Sequence, residues 1–321
     1  MTPIYHIPAM LHETVAGLNI QPDGVYVDVT FGGGGHSRAI LEKLNEHGRL
    51  LSFDQDIDAY HNAQQTPLIN DPRWQFIHGN FRYLRNFLDY YGITHIDGLL
   101  ADLGVSFHHF DEAERGFSFR FTGSLDMRMN RNGGMTAADI LNNYTEQEIA
   151  QILYIYGELK NAWQIAQRIA HYRETTPITQ TEQLVQLYLG NNTCTIANGE
   201  IDVPTWAKKD LARLFQALRI EVNDELRSLQ DMLLAAQQLL RMGGRIAILT
   251  YHSLEDRIVK NFLRSGNFEG NIQKDFYGNA LTPFRILEKG LTASPEEVIA
   301  NPRARSAKLR VAEKIREDNE L

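Results

Sequence analysis

From Val25 to Asp102 short apolar runs alternate with amphipathic stretches, and this alternation constrains the fold more than any other feature of the chain. Val25–Thr30, Arg49–Asp54, Trp74–His78 and Ile96–Asp102 read as strands, each a short, mostly apolar run. Ser37–Leu44, with Ala39, Ile40, Leu41 and Leu44 at helical spacing, Asp58–Gln65 and Tyr83–Tyr91 read as the intervening helices. Strands that alternate with helices form βαβ units, hence a parallel sheet covered on both faces. The expected fold class is α/β, with a doubly wound, mostly parallel sheet.

The alternation stops after Asp102. Between about Asp111 and Asp210 the chain turns helical and polar. Thr136-x-x-Asp139, Thr145-x-x-Glu148 and Thr179-x-x-Glu182 have the spacing of capping boxes. Ile149, Ile152, Leu153 and Tyr156 form one apolar stripe, and Trp163, Ala166, Ile169 and Ala170 another. Leu211–Arg241 then reads as a long helix, whole or broken, ended by Gly243-Gly244. Arg245–Thr250 is a fifth strand, Ser253–Leu263 a helix, and Ser306–Ala312 a late strand. The expected organisation is one α/β domain, residues 1–110 and 213–321, interrupted by a helical domain inserted at 111–212.

A chain of 321 residues with 43% hydrophobic and 22% charged residues is ordinary for a globular protein and excludes extensive disorder. No apolar run approaches the roughly 18 residues of a membrane span, and the N-terminus lacks the layout of a signal peptide. The single cysteine, Cys194, excludes an internal disulfide and any Cys-x-x-Cys site. A cytoplasmic protein is expected. With 32 Lys and Arg against 40 Asp and Glu, bulk charge does not drive nucleic-acid binding. Local basic stretches do occur, at Arg115, Arg120, Arg128 and Arg131 and at Arg303, Arg305, Lys308 and Arg310. Each reads either as solvated surface or as a phosphate contact.

The strongest local signal is Asp28-Val-Thr-Phe-Gly32-Gly-Gly-Gly35-His36-Ser37, a strand that passes through glycines into a helix. Glycine allows a tight turn and leaves room for a ligand against the backbone, and a helix start offers free N–H groups. Asp54, at the end of the second strand, is placed to accept the two hydroxyls of a ribose. Together these predict a nucleoside-containing cofactor. A dinucleotide fingerprint wants a third glycine where this chain has Ser37 or Arg38. The Asp28, Gly32, Gly34 layout fits S-adenosyl-L-methionine better, with Asp102 near the sulfonium and the incoming substrate.

Longer motifs follow in order: His6–Val15, Gly34-Gly35-His36-Ser37, Asp54-x-Asp56, Asp102-Leu-Gly-Val-Ser106, Glu114–Phe119, Leu125–Met129, Phe215–Ile220, His252–Lys260 and Asn301–Ser306. This set, spread over nearly the whole chain, resembles the bacterial 16S rRNA cytosine-N4 methyltransferase family, which uses S-adenosylmethionine. The resemblance implies a class I methyltransferase-like Rossmann fold whose helical insertion recognises the substrate. It implies methyl transfer to one cytidine N4 in the decoding region of the small ribosomal subunit, with 16S rRNA as partner, a homodimer allowed, and no membrane. The family's cofactor positions fall on Gly34, Gly35, His36, Asp54, Phe81, Asp102 and His109. Two departures from the family pattern stand out, Phe107-His108-His109-Phe110-Asp111 after the fourth strand and Trp206–Arg213 before Phe215.

Cytosine N4 is a poor nucleophile, because its lone pair is delocalised into the ring. An acceptor on the amino group localises that pair, and Asp102 or nearby loop carbonyls are the candidates, with Ser106 orienting the base. Arg115, Arg120, Arg128, Arg303 and Arg305 are candidate phosphate contacts. His252 ends the fifth strand on the same rim, while Ser253 and Asp256 have the spacing of a capping box. Tyr154, Tyr156 and Trp163 read as core of the insertion. His108, His109 and Asp111 lack a third well-spaced ligand, so no metal is expected. The sequence leaves two other readings open: a methyltransferase of proteins or small molecules, and a non-catalytic ribosome-assembly factor that keeps a nucleoside pocket.

Overall fold

Strand β1 (Val25–Asp28) lies between β2 (Arg49–Asp54) and β4 (Ile96–Asp102) in a computed structural model of the chain, which describes residues 8–104 and 112–317. With β3 (Trp74–His78), β5 (Leu240–Thr250), β6 (Phe284–Thr292) and β7 (Lys308–Lys314), these form a seven-stranded sheet among the described residues, ordered β3-β2-β1-β4-β5-β7-β6. Neighbours from β3 to β5 pair in parallel, and β7 is antiparallel to both β5 and β6. The central strands read as continuous apolar runs because both faces are covered, as in Leu99, Leu100 and Ala101 of β4 and Ile246–Leu249 of β5, all fully buried.

Helices α1 (Leu11–Gly17), α2 (Gly35–Leu41), α3 (Ile57–Gln65) and α4 (Leu84–Tyr90) belong to this first unit, which comprises Met1–Gly104 and Leu226–Leu321. The α2–α4 crossovers carry the chain from each parallel strand to the next, as parallel pairing requires. β6 was not foreseen. Its burial alternates along an exposed edge and its register on β7 shifts twice, so its apolar residues are too scattered to stand out. Gly243-Gly244 does not cap a helix. Gly243, at φ +80°, lies in a bulge of β5 where Ile96 pairs with Leu240 but Gly98 pairs with Arg245.

The second unit, Val105–Glu225, is helical: α5 (Ala137–Asn143), α6 (Glu146–Ile155), α7 (Ala162–Arg173), α8 (Thr181–Leu189) and α9 (Thr205–Asn223). Thr136 with Asp139 and Thr145 with Glu148 form complete capping boxes. The third box is displaced by one residue: Gln180 and Gln183 form it, and Thr179 lies outside the helix. The unit runs to Glu225 rather than to residue 212. Asp224, at φ +48°, breaks the long helical stretch, and its two halves pack in different cores. Leu211, Leu214 and Leu218 of α9 join Ile149, Leu153, Ile165 and Leu184 in the helical core. Leu229, Met232, Leu233 and Leu239 of α10 (Glu225–Leu239) pack instead with the sheet core of the first unit. Tyr154 and Trp163 are not core residues, being 64% and 54% exposed, whereas Tyr156 is half-buried against the helical core. No described helix is long and apolar enough to cross a membrane.

Leu211→Ala is expected to destabilise the helical unit by about 2–5 kcal/mol, the usual cost of a buried leucine truncation. Native-state proteolysis should then cut earlier within 112–223 than in the sheet unit. Equal loss of protection in both units would place α9 in the sheet core instead.

Candidate active site

Asp28, Asp54 and Asp102 close the C-terminal ends of three adjacent parallel strands, β1, β2 and β4. Because β1 continues to β2 on one side and pairs with β4 on the other, this end is the sheet's switch point, where open α/β sheets bind ligands. The glycine loop is fixed from below by Phe31, whose ring packs 5.4 Å from Trp74 and 5.2 Å from Phe76. Gly34 adopts φ +77°, and a Cβ there would stand 2.8 Å from the Phe31 ring, so only glycine fits. At Gly32 a Cβ would meet nothing within 4 Å, so the space above the loop is open.

Each carboxylate has its own set of donors. Asp28 is fully buried; its Oδ1 accepts from Thr30 N–H at 3.1 Å and its Oδ2 from Ser37 Oγ at 2.6 Å. Ser37 Oγ is in turn 2.7 Å from Ser52 Oγ, which accepts from Trp74 Nε1 at 2.8 Å. Trp74 can only donate, so the chain has one direction: Trp74 to Ser52, Ser52 to Ser37, Ser37 to Asp28. This explains why Ser37 stands where a dinucleotide fingerprint would have glycine. Asp54 accepts from Gly32 N–H at 2.9 Å and from Asp56 N–H at 2.9 Å. Asn62 Nδ2 donates to the Gly32 carbonyl at 3.0 Å, so the Gly32 residue is held on both sides. Burial pushes the Asp54 carboxyl up to about 7, against the pull of those two N–H groups.

Asp102 is held at both ends. Its N–H donates to Thr30 Oγ1 at 2.6 Å, and its Oδ1 accepts from the Tyr251 hydroxyl at 2.6 Å. Its Oδ2 faces His36 Nδ1 at 3.8 Å. Burial pushes the Asp102 carboxyl up to about 6, the Tyr251 hydrogen bond opposing and the Glu255 charge adding. Tyr251 is itself pushed well above its usual range by burial and by Asp102, so it remains a donor at neutral pH. Burial also lowers the His36 pKa, the Asp28 charge opposing, which makes the neutral imidazole the form present at pH 7. Phe81 lies half-buried after β3, beside the Asp54 loop. Gly79 N–H donates to the Asp54 carbonyl at 2.8 Å, and Asn80 Nδ2 donates to Gln55 Oε1 at 2.8 Å.

Gly34, Gly35, His36, Asp54, Phe81 and Asp102 thus gather at one end of the sheet, while Ser106 and His109 lie outside the described residues. His252 caps α11 (Ser253–Ser265), its Nδ1 accepting from Glu255 N–H at a long 3.5 Å while its Nε2 stands 3.0 Å from Glu255 Oε1. The capping box expected of Ser253 and Asp256 is absent, because Asp256 is taken by Arg310 Nε at 2.8 Å and Nη2 at 3.1 Å. That pairing also removes Arg310 from the exposed basic run, in which Arg303 and Arg305 remain exposed.

In the helical unit, Arg115 is a correction to the phosphate assignment. It is only 2% exposed, and its guanidinium donates to the Arg128 and Met129 carbonyls and stacks over Phe117. Arg128 is forked onto Asp126 at 2.7 and 2.9 Å, whereas Arg120 is exposed. Tyr251 and Thr30 escaped the sequence reading. Thr30 lay in the motif but had no visible partner, since Asp102 is 72 residues away.

The residues fit a nucleoside cofactor that carries positive charge. The carboxylate of Asp54 uses two of its roughly four acceptor sites on backbone N–H groups, which leaves acceptors for a ribose diol. Three acidic strand ends around open glycine backbone suit a cation and would repel a pyrophosphate. The sheet order, with β7 alone reversed, and this acidic glycine-loop rim define a methyltransferase of class I type. The model of the MraW methylase family matches residues 3–315. A relative from Parabacteroides distasonis, named ribosomal RNA small subunit methyltransferase H, is 53% identical over 316 residues, covering 97% of this chain and 98% of its own. A protein of that name from Porphyromonas gingivalis is 54% identical over 318 residues, 97% of each chain. An rRNA methylase structure from Streptococcus thermophilus aligns over 96% of this chain and 95% of its own, at 12% identity and a TM-score of 0.41. The chain belongs to the MraW methylase family.

With folded pKa values raised above 3.8, Asp54 and Asp102 favour the folded state when protonated. Their contribution is fully present below about pH 4 and is lost as pH rises through about 6 to about 7. Asp54→Asn is expected to flatten the fall in denaturant midpoint over that window, measured without cofactor. An unchanged slope would show that Asp54 titrates normally.

Proposed function

We propose that the chain transfers the methyl group of S-adenosyl-L-methionine to the exocyclic N4 amine of one cytidine in 16S rRNA, in the decoding region of the small ribosomal subunit. The observation that carries this reading is the Asp102 carboxylate at the sheet's switch point, fixed through Oδ1 by Tyr251 with Oδ2 3.8 Å from His36 Nδ1. The family match and the names of the relatives support the acceptor class. Gly34, Gly35, His36, Asp54, Phe81, Asp102 and His109 hold the cofactor, Asp54 through the ribose and Phe81 against the base. When bound, the cofactor supplies an electrophilic methyl on a sulfonium. Asp102, ionised above about pH 6, accepts a hydrogen bond from the amino group, which localises the nitrogen lone pair and takes up developing positive charge. Ser106 orients the base. Tyr251 is a positioning residue that holds Asp102 in one rotamer. Positioning supplies much of the rate, since the displacement is in line.

Arg120, Arg303 and Arg305, with His252 at the rim, remain as rRNA contacts, and the helical unit takes part in substrate recognition. The target base leaves its stack, which costs least at a loop or single-stranded site. The protein acts in the cytoplasm on the small subunit.

Labelled-methyl transfer to small subunits that lack the modification should yield N4-methylcytidine by mass spectrometry; any other labelled nucleoside, or none, rejects the acceptor. Asp102→Ala should lower kcat by about 10²–10³-fold at saturating cofactor, and near-normal turnover would remove its role. In Tyr251→Phe the acid limb of kcat/KM should move to higher pH, because the lost hydrogen bond held the Asp102 pKa down. A limb that stays in place would make Tyr251 a packing residue only.

A further inference from the structure

Between α11 and β6 the chain forms a small hairpin, Gln273–Lys274 paired with Ala280–Leu281, and its tip carries Phe276 and Tyr277 at 97% and 86% exposure. Two adjacent aromatic rings exposed at one tip form an apolar patch of the kind that marks an interaction site. The tip is also built to stay in one shape. The Asp275 carboxylate accepts from Tyr277 N–H at 2.9 Å, Asn279 N–H at 2.8 Å and Asn279 Nδ2 at 2.9 Å. Gly278 N–H closes the turn onto the Asp275 carbonyl at 3.0 Å. The root is tied to the last turns of α11: Asn261 Nδ2 donates to the Phe268 carbonyl at 2.9 Å, Arg264 Nη2 to the Gly270 carbonyl at 2.9 Å, and the Phe262 and Phe268 rings stack 5.1 Å apart.

The outer face of α11 supplies the complementary charge. Arg257, Lys260 and Arg264 are exposed and spaced three and four residues apart, so they share one stripe opposite the buried Val259, Phe262 and Leu263. From Arg257 to Leu281 there are four basic residues (Arg257, Lys260, Arg264, Lys274) against two acidic ones (Glu269, Asp275), in a chain of net charge −8. Of those two acids, Asp275 is spent on the turn.

We propose that this stripe and hairpin form a second RNA-binding surface, with Arg257, Lys260 and Arg264 on phosphates and Phe276 and Tyr277 stacked on unpaired bases. The inference rests on the rRNA reading above and deepens it. α11 begins just after Tyr251, at the active end of the sheet, and its 13 residues carry the chain about 20 Å to the opposite end. The hairpin therefore grips rRNA remote from the target base and docks the substrate rather than taking part in the chemistry. Stacking on aromatic rings tolerates any base, which suits a docking contact.

The test uses the full-length protein and small subunits that lack the modification. Phe276→Ala with Tyr277→Ala should raise KM for subunits about tenfold or more, leave kcat and cofactor affinity unchanged, and leave KM for a short target oligonucleotide unchanged. Arg257→Gln with Lys260→Gln should reduce the salt slope of subunit binding by about 2. Ultraviolet cross-linking of the wild-type protein to subunits should give a nucleotide adduct on the peptide that carries Phe276 and Tyr277. An unchanged KM without an adduct overturns the proposal. So does a raised KM in which the adduct is to a ribosomal protein, or in which the double variant loses a dimer by sedimentation. Absence of methyl transfer by the wild-type protein would instead reject the parent reading, and the cross-link would still report on the hairpin.

Discussion

Three carboxylates end three neighbouring strands, and most of the local structure answers the cost of gathering them there. Asp28 sits between the other two; burial raises the pKa of both Asp28 and Asp54, with the Asp102 charge adding a little at Asp28 and the Asp56 and Asp28 charges adding a little at Asp54. Buried like charges are tolerated only where donors converge on them. The donors here come from the glycine loop, from Thr30, from the Trp74–Ser52–Ser37 chain and from the Tyr251 hydroxyl. A positively charged ligand relieves the remaining repulsion. The rim is therefore best satisfied when loaded, and a neutral or anionic cofactor would gain much less from it.

The same arrangement separates acceptor from scaffold. Asp28 has both oxygens engaged within the protein and acts as the pin of the loop. Asp54 retains acceptor capacity after binding two backbone N–H groups. Asp102 has one oxygen taken by Tyr251 and the other facing His36 Nδ1 at 3.8 Å. Three chemically identical side chains thus differ in the acceptor capacity left to them, set by the number and direction of their donors.

The two units are built on different covering rules. The sheet unit buries both faces of its central strands under crossover helices, whereas the helical unit is a bundle with capped ends and one apolar core. Asp224, at φ +48°, ends α9, which packs in the helical core, and α10 that follows packs in the sheet core. Function follows the same economy. The strand ends carry the gathered carboxylates, and the basic residues form local stretches on a protein that is acidic overall.

Periodicity and turn chemistry are local, and they made the strands from Val25 to Asp102, the glycine loop, two of the capping boxes and the acidic strand ends legible in the sequence. A local pattern carries no information about partners far along the chain. Arg115 and Arg128 look like phosphate ligands as sequence, yet one is buried under backbone carbonyls and the other is forked onto Asp126. Asp256 looks like a cap and is instead the counterion of Arg310, 54 residues away. Trp163 sits on an apolar stripe by spacing, but the neighbouring helices do not cover it. Likewise the hydrogen bond from Tyr251 to Asp102 joins residues 149 apart, and only the pairing of β4 with β5 brings them together. The sequence by itself determined which elements form and which residues stand at their ends. The tertiary structure decided which of those residues are already partnered, because burial and long-range hydrogen bonds are properties of the packed sheet and bundle, not of any one segment.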